Sequence, residues 1–498
     1  MVPAASRADV SISTGSVECG EANLRAMPAE PERIHSTWLH SEQMIPRAFV
    51  RPALRFMGTE AAGGIVLMIA TIAALLWANS PWGASYFSFW ETHIEISIGD
   101  FFHFSESFKD IVNDGLMAVF FFVVGMEIKR ELVVGELSSV RKASLPAMAA
   151  LGGMVVPALI YVAFVIGGSA SDAINGWGIP MATDIAFSVG VVALLSTRVP
   201  VGAKLFLLAL AIVDDIGAIL VIAVFYTAGI SWTWIGIAAV GFAVIAIAQR
   251  IGIRSLLFYG TFGVIVWFAF LESGVHATIA GVLLGLMTPV YALYRDEDFR
   301  RRAHWILERW DMEAASPQAH DRLDQDALEL AAIAKESVSP LDRLESALHS
   351  WSSFFIVPVF ALANAGVRFV DIDMAEAVFS PVALGVAAGL VIGKPVGIVV
   401  MTWLGLKLKL GELPRATSFK HIIGLSALAG IGFTVSLFIA ELAFRATETG
   451  HLFTDEAKIG IFIGSLVAGI AGYLFLRAMK SPEDTYEQMR ETMGGEAL

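Results

Sequence analysis

The segment ALAIVDDIGAILVI, residues 209–222, decides the class of this protein because it places two acidic side chains inside an apolar run. Asp214 and Asp215 are neighbours, and apolar residues flank them on both sides. An ionised carboxylate at the centre of a bilayer costs about 2.5–3.5 kcal/mol or more, so two of them need a functional reason. The segment therefore predicts a membrane-spanning helix whose carboxylates carry function.

The whole chain has the composition of a membrane protein. Of its 498 residues, 56% are hydrophobic and only 16% are charged, and the mean hydropathy is +0.68. Residues 1–50 are polar and lack the pattern of a removable signal peptide, so we expect the first helix to insert the protein. The single cysteine, Cys19, excludes an internal disulfide framework, and the net charge of −13 argues against nucleic acid as a partner.

Apolar runs long enough to cross about 30 Å of hydrocarbon predict twelve membrane-spanning helices. They lie near residues 58–79, 112–135, 145–166, 175–196, 202–227, 232–249, 254–271, 275–292, 350–367, 381–403, 421–444 and 457–478. Between the first two, ETHIEISIGDFFHF (91–104) alternates apolar and polar residues, which favours a β-hairpin. The predicted fold class is an all-α polytopic membrane protein with a small periplasmic β-hairpin.

Basic residues predict the orientation and the domain organisation. Lys and Arg concentrate in the gaps after even-numbered helices, so by the positive-inside rule both termini lie in the cytoplasm. We expect the following parts: a polar cytoplasmic extension (1–50), a first membrane half with helices 1–8 (51–293), a charged cytoplasmic linker (294–349), a second half with helices 9–12 (350–480) and a cytoplasmic tail (481–498). Ser316-Pro317 and Ser339-Pro340 break the linker into helix-like pieces, and the linker is either a spacer or regulatory.

Two predicted helices are interrupted near mid-span. GWGIPMATDIAF (176–187) in helix 4 contains Gly178 and Pro180, and LAGIGFTVS (428–436) in helix 11 contains Gly430 and Gly432. Proline removes a backbone donor and glycine weakens a helix. We therefore predict two inverted three-helix repeats, helices 3–5 and 10–12, each with one broken helix. Close helix packing is an alternative reason for the two glycines of helix 11.

Ionisable residues lie near the centre of three predicted spans: Asp184 in helix 4, Asp214 and Asp215 in helix 5, and Lys394 in helix 10. Neighbouring helix residues point about 100° apart, so the two adjacent aspartates are expected to have different roles. Lys394 is the central basic residue available to pair with one of them. Asp184 can neutralise the positive half-helix N-termini and Lys394 the negative C-termini.

This set of residues suits a hard monovalent cation, which prefers oxygen ligands. Asp215, Asp214, Thr183, Asp184 and carbonyls freed around Pro180 would supply them. If the carboxylates hold the cation when ionised and return protonated, cation and protons compete for one site, and the result is antiport. Exchange of about two protons per cation would be electrogenic, worth ~2.3 kcal/mol per net charge per 100 mV. No cofactor is expected; Na+ or Li+ and protons are the transported species.

The chain resembles the bacterial NhaA-type Na+/H+ antiporter family over about residues 54–480. The matching stretches are NDGLMAVFFFVVGMEIKREL, GGMVVPALIY, GWGIPMATDIAFSVGVVALL, LALAIVDDIGAI, SGVHATIAGVLLG, FALANAGV, GLVIGKPVGI and GIGFTVSLFIA. The resemblance implies a homodimeric antiporter of the bacterial inner membrane that exports Na+ or Li+ against protons and is inhibited at acidic cytoplasmic pH. The periplasmic hairpin is the expected dimer contact.

The resemblance also assigns roles to individual residues. It makes Asp214 and Asp215 the ion-binding carboxylates, Lys394 the partner of Asp214, and Asp184 with Thr183 the residues of the helix crossing. It places pH regulation at Glu127, Arg130, Glu131, His276, Glu345 and His349. For Glu127, Arg130 and Glu131, the alternative to pH regulation is an ordinary charged helix end. For His276, the alternative is a hydrogen-bonded histidine at a helix end. Ser346 stands where family members commonly have another histidine, which leaves the pH threshold open, and the role of Asp114 is also open.

Three other functions fit the sequence less well. A Na+-coupled solute symporter would need a larger polar and aromatic cavity, for which no residues are apparent. An intramembrane aspartyl protease would need Asp214 and Asp184 to share a proton, and Lys394 would then be surplus. A purely structural or receptor role leaves the midplane charges unexplained.

Overall fold

The computed structural model describes residues 51, 57, 59, 61–98, 102–168, 170–195, 198–227, 229–313, 320–369, 373–445 and 450–479. The chain divides into two units, Met1–Phe56 and Met57–Leu498, and every element below belongs to the second. The predicted extension over 1–50, the tail over 481–498 and the Ser316-Pro317 break lie outside the described residues.

The described residues form helices and one β-hairpin. The first half contains α1 (Ala62–Ala78), α2 (Gly83–Trp90), β1 (His93–Ile98), β2 (Phe102–Ser107), α3 (Phe108–Val133), α4 (Val140–Gly167), α5 (Ser171–Met181, a 3₁₀ helix), α6 (Ile185–Leu194), α7 (Val201–Phe225), α8 (Trp232–Arg250), α9 (Leu256–Ser273) and α10 (Ala277–Met287). The second half contains α11 (Asp296–Glu313), α12 (His320–Glu336), α13 (Pro340–Asn364), α14 (Met374–Val378), α15 (Pro381–Lys407), α16 (Phe419–Ala429), α17 (Phe433–Phe444) and α18 (Gly450–Arg477). A short 3₁₀ turn, Glu136–Ser138, joins α3 to α4.

The helices confirm a multi-pass membrane protein. Within the described residues, eight helices are long and apolar enough to cross a bilayer: α3, α4, α7, α8, α9, α13, α15 and α18. Three further pairs pass this test together but are bent, by 114° for α1 with α2 and by 45° for both α5 with α6 and α16 with α17, while α10 is apolar but shorter. Each predicted span overlaps one of these helices.

The start of α13 differs most from the prediction. Helix α13 begins at Pro340, inside the predicted linker, because the Ser339 hydroxyl accepts a hydrogen bond from Asp342 N (3.0 Å) and caps the helix N-terminus. Proline suits the first turn, where its missing N–H has no intrahelical partner. The sequence therefore marked a break at Ser339-Pro340 correctly, but the segment after it continues directly into the next span. The sharp turn into α2 was not predicted.

The predicted hairpin is confirmed. Strands β1 and β2 pair antiparallel, with His93 opposite Ser107 and Ile98 opposite Phe102. Ser107 ends the hairpin and starts α3, since its hydroxyl accepts a hydrogen bond from Asp110 N (3.0 Å). The hairpin thereby leads directly into α3.

The spans pack as two groups. In the crossing bundle, defined as α4–α7 with α15–α18, α4 packs closely against α15 and α18 packs against α15, α16 and α17. In the flanking bundle, defined as α1, α3, α8–α10 and α13, α3 packs closely against α10, α8 against α9 and α1 against α13. Helices α4 and α15 approach each other at two glycines, because a Cβ on Gly152 or on Gly397 would overlap the backbone of the other.

The linker helices α11 and α12 lie side by side. Arg302 contacts Glu329 (2.7 Å) and Arg309 contacts Asp326, so the two helices run antiparallel. Hydrogen bonds from Arg302 and Arg309 hold the pKa of Glu329 below its ordinary value. The described residues of α11 and α12 therefore form an antiparallel helix pair.

Candidate ion site at the crossing of two broken spans

The interruptions of the two broken spans meet inside the crossing bundle. Helix α5 ends at Met181, just after Pro180, and α16 ends at Ala429, just before Gly430. Among the described residues, four hydrogen bonds to backbone carbonyls join the two broken spans. They run from Thr183 Oγ1 to Ala429 O (2.9 Å), from Asp184 N to Ile431 O (2.6 Å), from Ser188 Oγ to Leu428 O (2.9 Å) and from Ser436 Oγ to Ile179 O (2.7 Å). Each span thus donates hydrogen bonds to carbonyls at the break of the other, so these backbone groups are satisfied inside the protein.

Asp184 caps two half-helices at once. Its Oδ1 accepts from Phe187 N (3.1 Å) at the start of α6. Its Oδ2 accepts from both the N–H (3.1 Å) and the hydroxyl (2.6 Å) of Thr434 at the start of α17. A carboxylate at a helix N-terminus offsets its partial positive charge, and here one buried carboxylate faces two such ends. The expected location of Asp184 at the half-helix N-termini agrees with this geometry.

Lys394 pairs with Asp214, not with Asp215. Its Nζ lies 2.6 Å from Asp214 Oδ2 and also donates to Met181 O at the end of α5. Both side chains are buried. Lys394 follows a π-helical segment, Gly389–Gly393, next to Pro395, whose ring nitrogen cannot donate to the helix. The ammonium therefore lies between the aspartate of α7 and the negative C-terminal end of α5.

Two acidic oxygens in the site have no protein partner. Within the described residues, Asp214 Oδ1 and Asp215 Oδ1 are buried without a hydrogen bond. The Thr183 hydroxyl and N–H lie beside the Asp214 carboxylate. Buried polar groups are nearly always satisfied, so these two oxygens need a partner that the described side chains do not supply. Carboxylate oxygens are the ligands that a hard cation prefers.

The predicted pH-regulation residues fall into separate places. Arg130 Nη1 lies 2.8 Å from Glu345 Oε1, which joins α3 to α13, and Glu127 lies next to this pair. The Glu131 carboxylate instead accepts from Glu136 N (2.8 Å) in the turn after α3. His349 is exposed on α13, one turn after Glu345. These residues form a charged cluster at one end of α3, with Glu131 at its edge.

His276 lies away from that cluster. Its Nε2 donates to Tyr226 O (2.7 Å), and the Tyr226 hydroxyl donates to Asn175 O (2.6 Å) in α5. The histidine thus connects the start of α10 with the end of α7 and, through Tyr226, with a broken span. This geometry fits the alternative interpretation of His276 as a hydrogen-bonded histidine at a helix end.

A second group of charges, some buried and some exposed, was not predicted from the sequence. Glu441, in α17, lies 2.7 Å from Lys109 Nζ and 3.0 Å from Lys458 Nζ. Arg445, just after α17, lies 2.9 Å from Asp110 Oδ1 and 3.7 Å from Asp114 Oδ2. A sequence signal existed, because Glu441 and Lys458 lie within the predicted spans 421–444 and 457–478. Both lie near span ends, where a charged side chain can reach the interface and does not by itself indicate a site.

This geometry removes the protease alternative. A shared proton would require two free carboxyl groups in contact. Asp184 is already held by three hydrogen bonds, and Asp214 is held by Lys394. A polytopic helical bundle with ionisable residues where two broken spans cross has instead the architecture of a secondary transporter.

Sequence comparisons give the family. The family model for Na+/H+ antiporter 1 matches residues 54–476. The chain is 45% identical over 458 residues to "Na(+)/H(+) antiporter NhaA 2" of Sorangium cellulosum (strain So ce56), covering 92% of this chain and 96% of the relative. It is 47% identical over 429 residues to "Na(+)/H(+) antiporter NhaA" of Koribacter versatilis (strain Ellin345), covering 86% and 91%. The chain belongs to the Na+/H+ antiporter 1 family and is a secondary transporter, not an enzyme.

Proposed function

We propose that the chain exports Na+ or Li+ in exchange for protons, electrogenically, with activation at alkaline cytoplasmic pH. The names of its relatives support Na+/H+ exchange. The observation that carries the mechanism is the pair of buried, unsatisfied oxygens on Asp214 and Asp215, beside a lysine that already binds one of the two carboxylates.

The cation binds to the oxygens that the protein leaves free. Asp214 Oδ1 and Asp215 Oδ1 provide two of them, and Thr183 lies beside the first. Asp184 belongs to the proposed set, although its oxygens already accept hydrogen bonds from both half-helices, so its main contribution is charge and alignment of the crossing. Because Asp215 has no basic partner within hydrogen-bonding distance among the described residues, it must bind either a cation or a proton to be neutralised at this depth.

Lys394 couples the loss of a second proton to cation binding, through its ion pair with Asp214. When the site is empty of cation, the Lys394 ammonium compensates Asp214 across 2.6 Å. A cation that binds both aspartates weakens that pairing and favours loss of the lysine proton; the proton on Asp215 leaves as well. Two protons would then leave for each cation, so one net charge crosses per cycle and the membrane potential can drive export.

We also propose the number of membrane crossings, the repeats and the orientation of the chain. Twelve crossings, two inverted three-helix repeats, cytoplasmic termini and the bacterial inner membrane are supported by the two broken spans and by the distribution of Lys and Arg. The division into two membrane halves, joined by a cytoplasmic linker and flanked by polar ends, is proposed with it. The β1–β2 hairpin is proposed as the contact in a homodimer, since an exposed strand edge can pair with a second copy.

For pH regulation we propose the cluster of Glu127, Arg130, Glu131, Glu345 and His349, together with His276. The support is geometric: the Arg130–Glu345 ion pair joins two spans of the flanking bundle, and protonation of its carboxylate would release it. His276 contacts the helix of Asp214 and Asp215 at Tyr226 O.

The test is Na+-induced collapse of a preformed pH gradient in everted membrane vesicles. Wild type should respond to Na+, and Asp215→Asn should not, because the amide can neither bind a cation by charge nor release a proton. Asp172→Asn is the matched control, since it makes the same chemical change at an exposed position of α5. Equal responses from wild type and Asp215→Asn, at equal amounts of protein, would refute the mechanism.

A further inference from the structure

The charges around Glu441 connect the two bundles at one end. Lys109 and Asp110 begin α3 of the flanking bundle, directly after the hairpin. Glu441 and Arg445 lie at the C-terminal end of α17 in the crossing bundle. Two close ion pairs, Lys109–Glu441 (2.7 Å) and Arg445–Asp110 (2.9 Å), therefore join the bundles here.

Ion pairs at the opposite end of the spans have a different arrangement. Arg130–Glu345 joins α3 to α13, which both belong to the flanking bundle. Arg141–Glu412 joins the start of α4 to the segment after α15, within the crossing bundle. These pairs can persist if the bundles move relative to each other, whereas Lys109–Glu441 and Arg445–Asp110 at the hairpin end cannot.

Helix α17 connects this end to the ion site. Its first turn donates two hydrogen bonds from Thr434 to Asp184. Glu441 follows seven residues later, which is about 10 Å along an α-helix. A movement of the crossing that carries α17 with it must therefore displace Glu441 from Lys109 and Arg445 from Asp110.

The charged residues of these ion pairs differ in how far their side chains are exposed to solvent. The side chains of Glu441 and Lys458, both in the crossing bundle, are 14% and 6% exposed. Lys109 is 30% exposed, and Arg445 and Asp110 are 55% and 28% exposed. If the bundles part, Glu441 keeps a buried partner in Lys458. The charges that lose a close partner, on Lys109, Asp110 and Arg445, are those that water can reach, whereas Asp114, with a side chain 10% exposed, loses only a longer contact with Arg445 (3.7 Å). Separating exposed pairs costs little, but leaving a buried charge alone costs much, so the arrangement can open and close reversibly.

We propose that Glu441 is a positioning residue for the transport cycle, and that with Lys109 and the Arg445–Asp110 pair it forms an ion-pair latch that closes the hairpin end. The latch holds α17 against α3 in the described conformation and opens when the ion site turns toward the hairpin side. This inference rests on the proposed exchange, because alternating access requires one bundle to move against the other around the site.

Reversible cross-linking tests the latch. In a Cys19→Ser background, Lys109→Cys with Glu441→Cys is bridged in detergent by a short bis-methanethiosulfonate reagent, and the protein is then reconstituted in proteoliposomes. We expect Na+/H+ exchange to stop and to return on reduction. The matched control, Lys458→Cys with Glu441→Cys, places the same bridge inside one bundle, so bridging should not change its rate. Bridged 109/441 protein that exchanges as fast as its reduced form would overturn the latch, and so would equal inhibition of both bridged variants.

A binding measurement separates this proposal from the proposed function. Cation binding needs only one conformation, so bridged 109/441 protein should still release protons when Na+ is added in detergent. If the unbridged protein releases none, the proposed exchange mechanism fails; if only exchange is lost on bridging, the latch is supported.

A single substitution covers the case in which the double variants do not fold. Arg445→Gln keeps the buried Glu441–Lys458 pair and removes the ion-pair contacts of Arg445 with Asp110 (2.9 Å) and Asp114 (3.7 Å) between the bundles. We expect faster hydrogen exchange at the start of α3, with Na+-induced proton release retained. Unchanged protection of those amides would overturn the latch.

Discussion

Removing the ammonium of Lys394 should destabilise the protein through the charge it leaves behind on Asp214. In Lys394→Met, Asp214 Oδ2 loses its partner at 2.6 Å, Oδ1 has none among the described residues, and Met181 O loses a donor. Breaking a buried ion pair from one side costs about 3–5 kcal/mol. Every 1.4 kcal/mol is about tenfold in an equilibrium constant, so the folded-to-unfolded ratio should fall at least ~100-fold.

The double variant Lys394→Met/Asp214→Asn isolates the cause of this loss. A neutral amide removes the unpaired charge, so the double variant should be more stable than Lys394→Met alone, although neither should exchange ions normally. The loss in Lys394→Met should also be smaller at acidic than at alkaline pH, because protonation of Asp214 removes the same charge. The free energy of unfolding can be measured by SDS titration in mixed micelles, followed by fluorescence of the 12 tryptophans.

Lys407→Met is the control for the loss of a lysine from the same helix, since Lys407 is exposed at the end of α15. It should change the free energy of unfolding by less than about 1 kcal/mol. If the two substitutions in the double variant are additive, or if the loss in Lys394→Met does not depend on pH, then uncompensated charge on Asp214 is not the cause and this account of the site is wrong.

Three further results follow from the structure. Asp184→Asn should slow exchange and lower the free energy of unfolding by about 1–2 kcal/mol, because the cap of two half-helices loses its charge; Asp172→Asn should do neither, and equal effects would count against the capping role. Gly397→Ala should destabilise by about 1–3 kcal/mol or more, since its Cβ overlaps the backbone of α4, whereas Gly260→Ala, where a Cβ meets nothing within 4 Å, should be tolerated in the same SDS titration. Arg130→Gln should lower the free energy of unfolding, because it leaves the carboxylate of Glu345, whose side chain is 12% exposed, without its ion-pair partner, and it should shift the pH profile of exchange; an unchanged profile would exclude this pair from regulation.

Much of the architecture could be predicted because a bilayer imposes local rules on sequence. Each span needs a certain length of apolar residues, and backbone groups within it must be satisfied internally. The predicted spans therefore coincide with helices, the hairpin forms where the side-chain alternation indicated it, and both interruptions occur at the segments with Pro180 and with Gly430 and Gly432. Burial of the central charges was predictable for the same reason.

The choice of partners was not predictable from local rules. Lys394 lies 180 residues from Asp214 in the chain, and Lys109 lies 332 residues from Glu441. Adjacent aspartates differ by about 100° around α7, so its rotation against α15 decides which one meets the lysine. Asp184 could be assigned to the half-helix N-termini from its position after Pro180, but nothing local indicated that charges near two span ends would meet beside the hairpin. The sequence by itself determined which segments span the membrane and which charges they carry, because each segment meets the lipid separately; tertiary packing alone decided which charges neutralise each other, because that depends on how distant helices rotate and approach.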